Sequence, residues 1–475
     1  MTSKLLTRQR ILYALPKFTP YKISLVSLDW IRKKDPPVAL GHACIKASLF
    51  QSFTSSQLLI NDHVVNLFQN TLAFDELCKA IAQQILSTSP DFIAFGVFVW
   101  NEMHTQRILN LLRNDHKYKG LILCGGPQIS YAPKGTLELC YPQVDYFIRG
   151  YAENAMVDLV RCKIERKNRR DQLPTLNAIQ GLHIASTRDH GTQALVDLNS
   201  SASPFQTSPP IINVSTQRFI RWESQRGCPF RCSFCAHRDA AAGRTPIGPQ
   251  RVKRDLNLIT NVNSIVNDIA ILDPTFNSGK GYLSVLDHFI EASFKGRISL
   301  QTRFEMVTRD FLERCELLKD EVTLEFGIQT AIRTEQREIQ RSNNLKRITE
   351  IAKELTRREI MFEVSLIYGL PNQTVESFRI SVDFVKTLGA TKIHAWPLML
   401  LRGTELERRK TDLGLREEIL IPGELKEIAK ERLSEGIPHV TSSPSFTRDE
   451  WMEMNLIAET LFQPVTGVGN IPAIL

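Results

Sequence analysis

The sequence contains no run of about 18 apolar residues, the length at which a segment becomes a candidate membrane span. Its opening stretch, MTSKLLTRQRILYALPKF, also lacks the long apolar core and the small-residue cleavage site of a secretory signal. Cysteine is sparse, with nine residues in 475, and an odd number at that density does not indicate a disulfide framework. We therefore predict a cytoplasmic protein with reduced thiols and no membrane partner.

A strong bias of composition or charge is absent as well. Hydrophobic residues make up 43% of the chain and charged residues 23%, which is typical of a globular protein and excludes a disordered or fibrous one. The formal net charge of +8 is spread along the chain, and its one basic block is ERKNRR at 165–170. We therefore expect no nucleic-acid partner. The length corresponds to roughly two to four domains.

Two regions alternate short apolar runs with helix-like segments, which predicts the α/β fold class. In residues 1–162 this rhythm predicts a doubly wound, Rossmann-like parallel sheet. Residues 163–214 are polar and rich in Asn, Ser, Thr and Pro, so we interpret them as a linker. The alternation resumes over 215–410 with about six units, which predicts a partial or full β/α barrel. Residues 411–475 are predicted to form a mostly helical C-terminal cap.

Three cysteines lie close together at the start of the second region. Cys228, Cys232 and Cys235 follow the spacing C-x₃-C-x₂-C, and no fourth cysteine is near them. A structural zinc site has four protein ligands in two close pairs, and a second pair is missing here. A four-iron, four-sulfur cluster held by three thiolates keeps one iron open for another ligand. We therefore predict that these cysteines ligate such a cluster.

With Phe234 as its aromatic position, this spacing resembles the signature of the radical S-adenosylmethionine (SAM) superfamily. The resemblance implies that the open iron binds the amino and carboxylate groups of SAM, and that an electron from the cluster cleaves SAM to a 5′-deoxyadenosyl radical. Phe234 is then a cofactor-binding residue beside the cluster. Five later segments resemble, in order, the later barrel strands of that superfamily: LDPTF (272–276), TRFE (302–305), EFGIQT (325–330), LIYGLPNQTVESF (366–378) and IHAWPLMLLRGTELE (393–407).

These later segments provide the candidate SAM-binding residues. Arg303 either pairs with the SAM carboxylate through its planar guanidinium group or makes an ion pair with a neighbour. Glu325 and Gln329 alternate along one strand, and polar groups inside a barrel are costly unless they bind something. By resemblance, the segments that contain Gly369 and His394 flank the SAM adenine, although a packing role for either residue stays open. No residue is assigned as catalytic.

The first region carries a resemblance of its own, to the cobalamin-binding Rossmann domain that precedes the barrel in one subclass. Three motifs carry it: GVFVWN (96–101), ILCGGPQIS (122–130) and FIRGYAENAMVDL (147–159). The D-x-H-x-x-G pattern that supplies a histidine to cobalt is missing, so we predict cobalamin without a histidine ligand. The residues predicted to bind cobalamin are Trp100, Asn101, Gly125, Gly126, Gly150 and Glu153.

The resemblance implies a cobalamin-dependent methyl transfer to an unreactive carbon or phosphorus of a small molecule or peptide. It also implies an electron donor such as flavodoxin or ferredoxin. Ring formation, rearrangement, oxidation and aminocarboxypropyl transfer remain open alternatives. A tRNA methylthiotransferase would need a second cluster, for which Cys44, Cys78 and Cys124 are the available thiols, but their sequence contexts indicate helix and strand cores. A non-catalytic sensor of cobalamin or of a cluster is the remaining alternative.

Overall fold

The structure, a computed structural model, describes residues 19–31, 35–67, 70–167, 176–237, 243–419 and 437–461. Within these ranges the chain forms two six-stranded sheets and two short two-stranded sheets. No helix in the described ranges is both long enough and apolar enough to span a membrane.

The first six-stranded sheet has the strand order β2-β1-β3-β4-β5-β6. All neighbouring strands are parallel except the last pair. Its central strands are nearly continuous apolar runs because helices cover both faces of the sheet. The strands are β1 Tyr21–Asp29, β2 Leu58–Asn66, β3 Phe92–Gly96, β4 Leu121–Gly125, β5 Tyr146–Ile148 and β6 Leu182–Ile184. The helices are α1 Leu40–Ser52, α2 Phe74–Ser87, α3 Glu102–Asn110, α4 Pro127–Ser130, α5 Leu137–Cys140 and α6 Ala152–Lys167.

The structure differs from the predicted linker over 163–214. Strand β6 pairs with β5 at the edge of the first sheet, and Ala194 forms a further bridge to Gly150. A buried ion pair between Arg149 and Asp189, with 2.6 Å between Nη2 and Oδ2, ties the same segment to the sheet. The sequence did not predict this strand, because β6 is only three residues long and too short to show an alternation of apolar and polar residues. Much of this segment is therefore part of the first domain.

The second six-stranded sheet is entirely parallel and has the order β14-β13-β12-β11-β10-β7. Its strands are β7 Phe219–Trp222, β10 Asp268–Ile271, β11 Arg297–Thr302, β12 Val322–Gln329, β13 Phe362–Tyr368 and β14 Lys392–Pro397. A two-stranded sheet follows β7 and consists of β8 Gln225–Gly227 and β9 Arg244–Pro246. The helices are α7 Pro249–Ile259, α8 Tyr282–Glu291, α9 Arg309–Leu317, α10 Arg333–Glu338, α11 Leu345–Arg357, α12 Val375–Lys386 and α13 Glu405–Arg408.

Strand β12 illustrates how the sequence builds this partial barrel. Leu324, Phe326 and Ile328 are buried in the hydrophobic core that the helices share, and the Phe326 ring stacks on Phe304 with 3.8 Å between centroids. The alternate residues, among them Glu325, are only half-buried because they belong to the opposite face of the strand. One face of the sheet therefore packs on helices, and the other remains available for polar groups.

The described part of the predicted helical cap contains strands as well as a helix. Strands β15 Arg416–Ile419 and β16 Pro438–Ser442 pair antiparallel, and helix α14 spans Arg448–Leu461. Val440 N donates to Leu398 O at 2.9 Å, which places β16 beside the end of β14. The charged sequence of β15 lacks apolar alternation, so the strand pair was not anticipated. The rest of the predicted cap, 420–436 and 462–475, lies outside the described residues.

His439 on β16 makes the stability of this segment sensitive to pH. Burial lowers the pKa of its imidazole to about 4. As the pH falls below the usual value of about 6.5, the unfolded chain binds a proton that the folded chain excludes, so stability decreases with decreasing pH. Between pH 7 and pH 5 we expect a loss of roughly 2 kcal/mol of unfolding free energy from this residue. Urea unfolding of wild type and His439→Phe at both pH values measures it.

The exposed His116 provides the control for that experiment. The decrease in unfolding free energy between pH 7 and pH 5 should be smaller in His439→Phe than in wild type by roughly 2 kcal/mol, whereas His116→Asn should show the wild-type decrease. Each variant is compared with itself at the two pH values, so a general loss of stability in His439→Phe does not enter the result. An unchanged pH dependence in His439→Phe would contradict the assignment.

Candidate functional site

A cavity of about 550 Å³ lies between the two six-stranded sheets. Its walls come from the segments that follow β1, β3, β4 and β5 in the first sheet, and β7, β10 and β14 in the second. Ligands of open α/β sheets and of β/α barrels bind beyond the carboxyl ends of the strands. The cavity therefore occupies the binding position of both domains at once.

On the first domain, the turn after β4 provides a close backbone approach to the cavity. Gly126 has φ +95°, and a Cβ atom there would lie 2.7 Å from Val97 O, so the position requires glycine. Gly125, Gly150 and Glu153 line the same cavity. Trp100 also lines it and stacks on Phe98 with 4.5 Å between ring centroids. Five of the six residues predicted to bind cobalamin thus share one cavity wall.

Asn101, the sixth residue, does not line the cavity. It is fully buried, its Oδ1 accepts from Phe98 N at 2.8 Å, and its Nδ2 donates to Leu28 O and Gly96 O at 3.0 Å each. The side chain thereby fixes the loop between β3 and α3. Asn101 therefore shapes the cavity wall that carries Trp100. The sequence alone cannot distinguish this structural role from direct contact with a cofactor.

Two described histidines line the cavity, His42 and His237. His42 lies near the start of α1, and its Nε2 is 3.1 Å from Asp62 Oδ1. Sequence reasoning did not single out His42, because nothing in GHACIK distinguishes it from a surface residue. The absence of a histidine ligand to cobalt stays a prediction.

The three clustered cysteines lie on the loop after β8, at the barrel side of the cavity. All three are free thiols, and Cys235 lines the cavity together with Phe234. Burial, with smaller contributions from the nearby Cys232 and Cys228, raises the pKa of the Cys235 thiol to about 12. Among the described residues no group of three or more His, Cys, Asp or Glu converges on the position of a single metal ion. Three thiols on one cavity-facing loop fit a cluster with three protein ligands.

Neighbouring elements hold this cysteine loop on both sides. Ser233, which is fully buried, donates from its N to Ile339 O at 2.9 Å and accepts at its O from Leu406 N at 2.9 Å. On the N-terminal side of the loop, the Asp273 carboxylate accepts hydrogen bonds from Ser224 N at 2.7 Å and from Gln225 N at 3.1 Å. Burial raises the pKa of Asp273 to about 7. The loop is therefore braced before any cofactor binds.

Three other predicted residues, Arg303, Glu325 and Gln329, do not line the cavity. Arg303 stacks over the Phe230 ring at 3.8 Å and pairs with Glu305 at 3.1 Å, so it contacts the cysteine loop through an aromatic ring. Gln329 follows a bulge in β12 and has φ +68°, which breaks the simple alternation expected with Glu325. Its side chain folds over Gly327, where a Cβ would collide with Nε2.

Gly369 and His394 are also outside the cavity wall. Gly369 has φ +85°, and a Cβ there would approach Val440 O at 3.0 Å and Trp451 Nε1 at 3.4 Å. His394 Nε2 lies 3.1 Å from Glu363 Oε2, and the imidazole stacks on Trp396 with 5.8 Å between ring centroids. Both residues are therefore integrated into the packing around β13 and β14.

Arg341 is a site residue that sequence reasoning missed. Its Nη1 lies 3.7 Å from Cys232 Sγ, and its Nη2 donates to Gly327 O. A guanidinium group at that distance stabilises negative charge on a thiolate or on a cluster. The residue follows α10 within IQRSNN, where nothing in the sequence indicates proximity to Cys232.

The thiols available for a second cluster are dispersed. Cys44 is on α1, Cys78 on α2 and Cys124 on β4, and all three are buried. Burial raises the pKa of Cys44 to about 12 and that of Cys78 to about 11. Each belongs to a hydrophobic core, and the core that contains Cys44 is a different one from the core of Cys78 and Cys124, which gives the methylthiotransferase alternative no support.

Comparison with known protein families gives two matches in the same order as the two domains. The B12-binding domain family matches residues 40–160, and the radical SAM superfamily matches residues 222–385. These matches confirm the family resemblance and the fold class predicted from the sequence.

Curated proteins and solved structures provide three informative relatives. The cobalamin-dependent radical SAM methyltransferase TokK of Streptomyces tokunonensis is 23% identical over 61% of this chain and 44% of its own length. The anaerobic magnesium-protoporphyrin IX monomethyl ester cyclase of Cereibacter sphaeroides is 25% identical over 67% of this chain and 54% of its own length. This chain thus spans about half the length of these curated relatives. A solved structure of the radical SAM methyltransferase TsrM from Kitasatospora setae contains cobalamin and a [4Fe-4S] cluster. It superposes on this chain with a TM-score of 0.68 and 13% sequence identity, and the superposition covers 96% of this chain and 92% of TsrM.

Proposed function

We propose that this chain, which matches the radical SAM superfamily over residues 222–385 and the B12-binding domain family over residues 40–160, is a cobalamin-dependent methyltransferase. One observation carries the proposal. The glycine turn after β4 and the cysteine loop after β8 line the same cavity, so ligands of the two domains would share one cavity. We further propose that the acceptor is a small molecule or a peptide.

Different residues of the chain would bind the cluster and the corrin ring. Cys228, Cys232 and Cys235 would hold the cluster, with Arg341 compensating negative charge beside Cys232. The first-domain wall around Gly126 and Trp100 would hold the corrin ring. When bound, these groups supply a carbon-centred radical and a transferable methyl group. The apolar walls keep the two reacting centres close and exclude water.

We also propose where SAM would bind. Arg341 and Gln329 are joined through Gly327, since Arg341 Nη2 donates to Gly327 O and the Gln329 side chain covers the same glycine. This places a guanidinium group and an amide beside the cluster loop. Such a pair suits the carboxylate and the ribose hydroxyls of SAM, respectively. Arg303, which is engaged with Glu305 and Phe230, would then act by supporting the loop.

One alternative reaction has its own support. The cyclase relative is 25% identical over 67% of this chain, so ring formation or oxidation on the same scaffold is the second candidate. The two candidates differ in what becomes of SAM, because methyl transfer consumes its methyl group and radical oxidation does not.

Product analysis separates these reactions. Methyl transfer predicts that S-adenosylhomocysteine and 5′-deoxyadenosine form together, in a ratio of about one, and that labelled methyl from SAM enters the product. Chromatography with mass spectrometry, under anaerobic conditions with dithionite and candidate acceptors, measures all three. 5′-Deoxyadenosine without S-adenosylhomocysteine would indicate oxidation or rearrangement. Methylthioadenosine as the main product would indicate aminocarboxypropyl transfer, and either result would overturn the proposal.

A further inference from the structure

Two arginines of the second domain reach across the cavity to carboxylates of the first. Arg226 lies on β8, the short strand that follows β7, and its Nη1 lies 2.6 Å from Glu153 Oε1. Arg402 follows β14, and its Nη2 lies 2.9 Å and 3.1 Å from the two carboxylate oxygens of Glu102. Arg226, Arg402 and Glu153 all line the cavity. We refer to the two ion pairs as the domain anchors.

The positions of the domain anchors in the two sheets are complementary. Strands β7 and β14 are the two edges of the partial barrel, so the arginines come from opposite sides of its mouth. Glu102 begins α3 after β3, and Glu153 lies in the first turn of α6 after β5. Strand β4 lies between β3 and β5, and its glycine turn therefore lies between the two carboxylates. The anchors consequently hold the first domain on both sides of the turn proposed to cradle the corrin ring.

The Arg402 anchor also contacts that turn directly. Arg402 Nη1 donates to Gln128 O at 2.9 Å, and Gln128 follows the glycine turn on α4. Gln128 Nε2 and Tyr141 Oη both donate to the Glu102 carboxylate, so the carboxylate is shared by three partners. Three residues further on, Tyr131 Oη donates to Ala236 O at 3.2 Å, next to Cys235. The cavity wall that we propose to hold the corrin ring is thereby hydrogen-bonded to the edge of the barrel and to the segment that follows the cysteine loop.

The two anchors differ in burial. The side chains of Arg226 and Glu153 are 12% and 6% exposed, and Arg226 is further held by Glu223 at 2.8 Å and by the Tyr151 ring at 5.0 Å. The side chains of Arg402 and Glu102 are 24% and 16% exposed. A charge left unpaired in the more buried anchor would threaten folding itself. The Arg402 anchor is therefore the better target for an experiment.

From this geometry we infer that Arg402 and Arg226 are positioning residues that set the distance between the corrin site and the cluster site. This inference rests on the proposed function and adds to it. Neither guanidinium group needs to touch the reacting atoms. Group transfer between two separately held centres depends steeply on their spacing, and a displacement of about 1 Å costs about 100-fold. Loosening an anchor should therefore leave SAM cleavage intact and reduce the fraction of cleavage events that yield product.

The test uses the full chain with its cluster and hydroxocobalamin bound. We expect Arg402→Gln to keep the iron content and to form 5′-deoxyadenosine within about 3-fold of wild type, while methylated product per 5′-deoxyadenosine falls at least about 10-fold. Hydrogen exchange of the amides at 128–131 should accelerate at least about 10-fold, because the turn loses its bond to the barrel. The charge-swapped pair Glu102→Arg with Arg402→Glu should recover part of the product ratio.

Arg309→Gln is the matched control, because Arg309 pairs with Glu313 at 2.8 Å on the exposed surface of α9. It should leave both readouts unchanged. The inference is overturned if Arg402→Gln and the more buried Arg226→Gln both match the control in product ratio and amide exchange. If wild type forms no methylated product, the proposed function fails, but the exchange measurement still decides whether Arg402 fixes the turn.

Discussion

Replacing Cys228, Cys232 and Cys235 together by alanine should abolish the brown chromophore and the cleavage of SAM. The three thiols lie on one loop that is braced through Ser233 and Asp273, so the loop should persist when the ligands are removed. We expect reconstituted iron to fall from about four atoms to fewer than about one atom per chain, and 5′-deoxyadenosine formation to fall at least about 100-fold. Iron analysis, visible absorption and product chromatography measure these losses.

The control for the cluster variant is Cys140→Ala, which removes an exposed free thiol that lies outside the cavity. It should retain the full iron content and SAM cleavage. A cluster that persists in the triple variant, or about eight irons per wild-type chain, would contradict a single three-cysteine site and revive the two-cluster alternative.

A bulky side chain at Gly41 should prevent cobalamin from binding. Gly41 lines the cavity at the start of α1, and a Cβ atom there would meet no other atom within 4 Å. The fold therefore has room for the Cβ atom of a larger side chain, and a tryptophan that extends into the cavity would occupy space that the corrin needs. We expect Gly41→Trp to weaken hydroxocobalamin binding at least about 100-fold, measured by equilibrium dialysis and visible spectra. The cluster and its iron content should be unchanged.

Gly281→Trp provides the matched substitution. Gly281 precedes α8, has φ −95°, does not line the cavity and likewise has no atom within 4 Å of an added Cβ. It should bind hydroxocobalamin as wild type does. Equal binding by Gly41→Trp and Gly281→Trp would show that the corrin does not use this cavity.

The elements that were predictable are those whose signal lies within a few consecutive residues. Strand β3, Phe92–Gly96, is a continuous apolar run, and the cysteine spacing is complete within eight positions. Glycines such as Gly126 were recognisable because a strand-to-helix turn restricts the residue type. Local patterns of this kind also sufficed to assign the two domains and their order.

The residues that escaped prediction depend on contacts between distant segments. Arg341 lies more than a hundred positions from Cys232, and Arg402 lies 300 positions from Glu102. An isolated arginine or glutamate in a polar stretch has the same local signature whether it pairs across a cavity or faces solvent. The different roles of Asn101 and Trp100, which are adjacent in sequence, likewise depend on which carbonyls the fold brings within reach.

The bond from Val440 N to Leu398 O has a consequence for the newly made chain. Strand β14 is an edge strand of the partial barrel, and β16, which bonds to the residue after its end, begins about forty residues later. At synthesis rates of 5–20 residues per second, β14 is made roughly 2 to 8 seconds before β16. An uncovered parallel edge offers unpaired backbone groups to other chains. The nascent protein therefore passes through an interval in which self-association competes with the completion of its fold.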